Sequence, residues 1–119
     1  MKTITAFEEA KRTGAKFSEA GINRTLFTAY EDSKNAGNDL LDFAGVIWDE
    51  DVEPIVETLR ANGIARFTVS SNFPGLLPTL AAFEKRGCKL EGLTETHANY
   101  VDWRTGKHEP ILAVSVRVN

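Results

Sequence analysis

The chain has one cysteine, Cys88, two histidines, one methionine and four prolines among 119 residues. A lone cysteine excludes an internal disulfide and any zinc site built on a cysteine cluster. No apolar run approaches the ~18–20 residues that a membrane span needs. The opening stretch, Met1 to Glu9, lacks the apolar h-region of a secretory signal, so we expect a cytoplasmic protein without a membrane anchor. Gly-x-Gly-x-x-Gly, Gly-x-x-x-x-Gly-Lys-Ser/Thr and Gly-x-Ser-x-Gly are all missing, which removes the usual support for dinucleotide, P-loop and hydrolase-elbow chemistry. There is no low-complexity segment, linker or tandem repeat. What remains is an ordinary globular composition, 42% hydrophobic and 26% charged, at a length that fits one domain over residues 1–119.

Net charge is −3, which makes nucleic acid an unfavoured partner, because such binding depends on Lys and Arg neutralising phosphates. The charge is unevenly spread. Residues 1–37 carry six basic and five acidic side chains, and residues 58–119 carry eight and five. Residues 38–57 carry seven acids and no base: Asp39, Asp42, Asp49, Glu50, Asp51, Glu53 and Glu57. Such a block suits a basic protein partner. It equally suits a helix start, where acids complement the positive end of the helix dipole.

Hydrophobic periodicity predicts a short helix over 3–13, with Thr3 or Thr5 as N-cap and Gly14 as its stop. Residues 15–38 are ambiguous, and we read a strand or turn near 22–28 and a short helix near 28–36. Phe43 to Trp48 reads as a buried strand. Val52, Ile55, Val56 and Leu59 share one helix face, with Pro54 in the first turn and Gly63 closing the helix. Residues 64–70 read as a strand, and Leu76, Leu77, Leu80 and Phe83 as the next helix face. Residues 88–101 and 109–118 read as two long strands around a turn at 101–107. In the second, Leu112, Val114, Val116 and Val118 alternate with Ala113, Ser115 and Arg117, as in a half-buried strand. The expected class is α/β (α+β): a mixed sheet of four or five strands with βαβ crossovers, helices packed on it and a C-terminal antiparallel hairpin.

Two strand-to-helix junctions are candidate sites. Ligands in open α/β sheets sit beyond the carboxyl ends of strands, and Ser70, Ser71 and Asn72 there would offer hydroxyls and a carboxamide to an anion at a helix N-terminus. The same residues are favoured N-caps, which explains them without a ligand. At the other junction Asp49 would add a carboxylate beside Trp48. Asp49 and Asp51 would serve Mg²⁺ only with further ligands that the spacing does not supply, so no metal and no cofactor is expected. His97 and His108 flank the hairpin turn, either as a facing pair or as solvent-facing strand residues. Cys88 reads as a small buried hydrophobe. Tyr100, Trp103 and Arg104 form an aromatic and basic hairpin tip, a composition common in binding hot spots. The alternative is an aromatic cross-strand pair that pins the register.

No catalytic set emerges, so we expect an interaction protein. Its contact surface would be the acidic residues Asp49, Glu50, Asp51 and Glu53 or the tip residues Tyr100, Trp103 and Arg104. The runner-up is a small-molecule or anion-binding domain, or a small enzyme, at Asp49, Ser70, Ser71 and Asn72.

The stretches Thr28–Asn38, Val46–Ile55, Phe67–Ser71 and Leu80–Lys85 resemble a family of small proteins of unknown function carried by mobile elements and phages of Gram-positive gut bacteria. The resemblance implies a bacterial cytosolic accessory protein and carries no activity onto any residue. The strand, helix and terminal hairpin also resemble the end of the methyltransferase fold, without its Gly-rich first turn. That likeness bears on topology only.

Overall fold

A computed structural model describes all 119 residues. Five helices and four strands follow in the order α1 (Thr5–Thr13), α2 (Phe17–Ala20), α3 (Arg24–Ala36), β1 (Asp42–Phe43), α4 (Asp49–Ala61), β2 (Arg66–Val69), α5 (Leu76–Lys85), β3 (Lys89–His97) and β4 (Pro110–Arg117). The sheet order is β1-β2-β4-β3. β1 runs parallel to β2, and β4 runs antiparallel to both β2 and β3. The class is therefore the expected mixed α+β sheet with four strands.

Both helical crossovers, β1-α4-β2 and β2-α5-β3, join parallel strands and move across the sheet in the same direction. Crossovers of one hand then put both helices on one face, and α4 does pack on α5. The core lies beneath them. Phe43 and Phe67 from the sheet meet edge to face with centroids 5.4 Å apart, and Phe83 of α5 closes the cluster 5.0 Å from Phe67. Each of the three is at most 1% exposed. Burial of each side chain contributes roughly 1.5–3 kcal/mol.

The ambiguous segment is helical. No strand or turn occupies 22–28; α3 starts there because the Asn23 side chain accepts from the Leu26 N–H at 3.0 Å. Leu26, Ala29, Tyr30 and Ser33 then form its buried stripe. Tyr30 meets Phe7 of α1 edge to face, and its hydroxyl donates to Glu8 at 2.8 Å. Burial and Glu8 raise the Tyr30 pKa.

The strand expected over 43–48 ends at Phe43. Its partner β2 is only four residues long, and the Ser71 hydroxyl contacts the carbonyls of Phe43 (2.9 Å) and Gly45 (2.6 Å), which fixes residues 44–45 as a loop. The outer edge of β1 is closed by α3: the Asp42 N–H donates to Ser33 Oγ at 2.8 Å. Trp48, which the apolar run placed in a buried strand, is 63% exposed. Two helix starts also differ from expectation. Pro54 is the sixth residue of α4, past the first turn, and α5 starts only at Leu76, with Gly75 rather than Ser70, Ser71 or Asn72 in the cap position. Nor do Thr3 or Thr5 cap α1, whose cap position is Ile4.

The alternation expected along β4 holds only at its C-terminal half. Val116 is fully buried, but Leu112 is 69% exposed and Ala113 is buried. The hairpin extends past the end of β2 at Val69, while the α3–β1 connection approaches it from the other face. β3 carries a bulge between Leu90 and Leu93, where Gly92 takes φ +101°. The extra residue keeps Leu90 and Leu93 on the same face, opposite Val116 and Val114.

Candidate functional site

The strand-end junction is built around Asp42, which the sequence pattern marks only as one of the seven acids of residues 38–57. Its carboxylate is buried at the end of the parallel pair. It accepts from Thr68 Oγ1 and Ser70 Oγ, each at 2.6 Å. Burial raises the Asp42 pKa against the lowering effect of the Ser70 and Thr68 hydrogen bonds. Ser70 is therefore occupied by Asp42, and Ser71 by the carbonyls of Phe43 and Gly45. Asn72 is exposed. Asp49 is exposed at the start of α4 beside Val52, Pro78 and Lys85, and lies apart from the Asp42 network. The structure thus brings Ser70 together with Thr68 and Asp42, and leaves no hydroxyl pair facing a ligand at this edge. The signal that could have found Asp42 was its position at the C-terminal end of a strand beside a Ser/Thr-rich partner strand, which requires knowing the pairing.

The acidic block divides by role. Asp51 is an internal fastener: it accepts from Asn23 Nδ2 and Thr25 Oγ1, both at 2.9 Å, and from the Trp48 N–H at 3.2 Å. It joins the start of α4 to the start of α3. Glu53 pairs with Arg86 across α4 and α5 at 3.3 Å. Asp49 and Glu50 remain exposed in the first turn of α4. A surface of seven acids shrinks accordingly.

The hairpin tip is displayed and held. Trp103 is 89% exposed and Tyr100 60%. The loop beneath them is ordered by Asp102. Its carboxylate accepts from the Arg104 N–H at 2.8 Å and from the Arg104 guanidinium at 3.2 Å, an Asx-type turn reinforced by an ion pair. Those contacts hold the Asp102 pKa below the ordinary carboxylate range, the guanidinium first. The Asp102 carbonyl accepts from Gly106 N–H at 2.8 Å, and Asp102 pairs with Lys107 across the turn. Gly106 has φ +70°, a conformation glycine adopts without strain.

The hairpin is anchored to the body by residues that sequence reasoning missed. Asn38, buried just past the end of α3, grips the backbone of His97: its Oδ1 accepts from the His97 N–H (2.8 Å) and its Nδ2 donates to the His97 carbonyl (3.0 Å). Asn99 reaches Asp32 of α3 at 3.4 Å. His97 and His108 do not act as a pair. His97 Nδ1 lies 3.2 Å from Asn38 Oδ1, and His108 Nδ1 lies 2.7 Å from the Ala98 carbonyl, so His108 carries its proton on Nδ1 there. No group of three or more His, Cys, Asp or Glu side chains converges on a metal-sized site. Cys88 is buried, and burial pushes its thiol pKa up, the condition of an unreactive cysteine.

Fold and site together define a small α+β domain whose sheet is covered by two helices on one face and whose terminal hairpin projects an exposed tryptophan. The chain belongs to a family of domains of unknown function, DUF7698, whose model matches residues 25–118. No curated protein and no solved structure matches it. The matched segment excludes α1 and α2, although Ile4, Phe7, Ala10 and Ile22 from that region join the core. No helix is long and apolar enough to cross a membrane.

Proposed function

We propose that this chain is a non-catalytic accessory protein that binds a macromolecular partner, most plainly another protein, through the tip of its terminal hairpin. The observation that carries the reading is Trp103: a large aromatic side chain, 89% exposed, on a loop whose turn is held by hydrogen bonds from the Arg104, Thr105 and Gly106 N–H groups to Asp102 and from the Asp102 N–H to the Lys107 carbonyl. A tryptophan in water on an ordered loop has lost conformational freedom before binding, which lowers the entropic penalty of association. Tyr100 beside it and Arg104 fit the composition of interface hot spots. Arg104 is already paired with Asp102 and the chain is net negative, which supports a protein partner over nucleic acid. The exposed Asp49 and Glu50 would supply a secondary acidic contact. The resemblance noted for Thr28–Asn38 and Val46–Ile55 supports a setting in bacterial mobile elements or phages, with action in the cytoplasm.

The test is co-purification from lysate of the source organism, at low and moderate salt, with the full chain as bait and the partner identified by mass spectrometry. Trp103→Ala should abolish recovery of a stoichiometric partner, since central aromatic truncations exceed about 2 kcal/mol. A joint charge reversal at Asp49, Glu50 and Glu53 should weaken it only at low salt. A partner that survives Trp103→Ala and is lost on charge reversal would move the interface to the acidic helix start.

A further inference from the structure

The sheet face that carries α4 and α5 is left bare where the hairpin outruns β2. β2 ends at Val69, opposite Val114, and beyond that point no strand flanks β4 on its β2 side. Leu93 pairs with Val114 and Glu95 with Leu112, so these four residues share one face, with Leu93 and Leu112 as diagonal neighbours. It is the face on which Phe67 and Val116 are buried further down the sheet. Val114 is half-buried, yet Leu93 is 73% exposed and Leu112 69%. α5 supplies a third leucine. Leu80 and Phe83 are buried in the core, and Pro78 and Ala82 line the groove shared with α4. At about 3.6 residues per turn, Leu77 and Glu84 fall on the opposite flank, toward β4 and β3. Leu77 is 76% exposed.

Lone exposed leucines are ordinary. Three on one side of one layer, together on the order of 400 Å² of apolar surface, match the size of an interaction patch. The charge around them has one sign. Glu84 and Glu95 are exposed, and neither pairs with a cation. The basic residues of β3 and β4, Lys89 and Arg117, lie opposite each other on the other face, where Glu91 engages Arg117 at 3.7 Å. A second copy docked here about a two-fold axis would set acid against acid, because such a contact joins the same patch on both chains. A segment bearing lysine or arginine meets no such repulsion.

We infer that this leucine face is a docking surface for an amphipathic basic segment of a partner protein. Apolar side chains of that segment cover Leu77, Leu93 and Leu112, and its lysines or arginines meet Glu84 and Glu95. The like charge of the two glutamates selects against a second copy and against an acidic partner. None of these residues belongs to the Trp103 tip.

The experiment is an amide ¹H–¹⁵N NMR titration of the full chain with two synthetic amphipathic peptides of about four helical turns. One is built of leucine and lysine, and the other has every lysine replaced by glutamate. The lysine peptide should give saturable shifts centred on residues 76–78, 93–95 and 111–114, and the glutamate peptide should bind at least about tenfold more weakly. Leu93→Ser and Leu112→Ser remove exposed side chains, so each should leave the melting midpoint within about 2 °C while weakening the lysine peptide by about tenfold. Glu95→Lys should weaken it strongly at low salt and less at high salt. The inference is overturned if the lysine peptide gives no local saturable shifts, if the glutamate peptide binds equally well, or if Leu112→Ser has no effect. A dimer in sedimentation that Leu93→Ser dissolves would also overturn it, by making a second copy the occupant. Failure here leaves the Trp103 reading intact, because the two surfaces share no residue.

Discussion

Asp51→Ala separates a structural acid from a surface acid within one helix turn. The Asp51 carboxylate accepts three hydrogen bonds, from Asn23, Thr25 and the Trp48 N–H. Hydrogen bonds to a charged group contribute about 1.5–3 kcal/mol each when isolated, with strong non-additivity. Asp51 is only half-buried, so water would recover part of that on truncation. Its place in the first turn of α4 adds roughly 0.3–1 kcal/mol through the helix dipole. Together these predict a loss of about 2–3 kcal/mol. A chain of this length unfolds with an entropy of about 0.25 kcal/mol/K, so the midpoint should fall by about 10 °C. Asp49→Ala and Glu50→Ala, both exposed in the same turn, should stay within about 0.5 kcal/mol of wild type. Urea denaturation followed by circular dichroism measures all three at equal m-value. If Asp51→Ala also fell within about 0.5 kcal/mol, the fastening of α4 to α3 would not be what Asp51 does. It would then rejoin the acids available to a partner.

Asp42 should make stability fall as pH rises. Its pKa is raised in the folded chain, so the native state holds the proton where the unfolded state has released it. Its contribution is fully present below the ordinary aspartate range, about 3.9, and is lost as pH climbs through the folded pKa. The stability of wild type relative to Asp42→Asn, measured by urea titration between pH 3 and pH 7, should therefore decline with pH; a rise would refute the assignment. Gly92→Ala places a side chain at φ +101° and should destabilise by about 1–3 kcal/mol, with the β3 amide shifts changing on both sides of the bulge. Phe67→Ala, from full burial between Phe43 and Phe83, should cost about 3–5 kcal/mol in the same denaturation assay. Wild-type emission should resemble free tryptophan and move little on unfolding, because Trp48 and Trp103 are both exposed; a clear red shift would show one of them buried.

The helices α4 and α5 and the existence of the terminal hairpin were legible from local periodicity, but not every side chain was: Leu77, expected on the buried face of α5, is 76% exposed, and the alternation along β4 fails at Leu112 and Ala113. Val52, Ile55, Val56 and Leu59 are all buried, as their spacing implies. The site residues were harder. Ser70 and Ser71 carry the composition of helix caps and of anion sites alike, and only the pairing of β1 with β2 shows that Ser70 serves Asp42 and Ser71 serves the loop after Phe43. Trp48 misled because an apolar run looks the same in a strand and in an exposed turn. Asn38 gave no local signal, since its partner His97 is 59 residues away.

By itself the sequence determined the class of fold, the order of the helices and strands from α4 onward and the absence of a familiar catalytic motif, because these depend on near-neighbour patterns and composition. The tertiary structure decided the strand order β1-β2-β4-β3, the bulge that sets which face Leu93 and Thr94 occupy, and the split of the acidic block into fastening and free carboxylates. Those features rest on hydrogen bonds and packing between residues far apart in the chain, whose energies no local window contains.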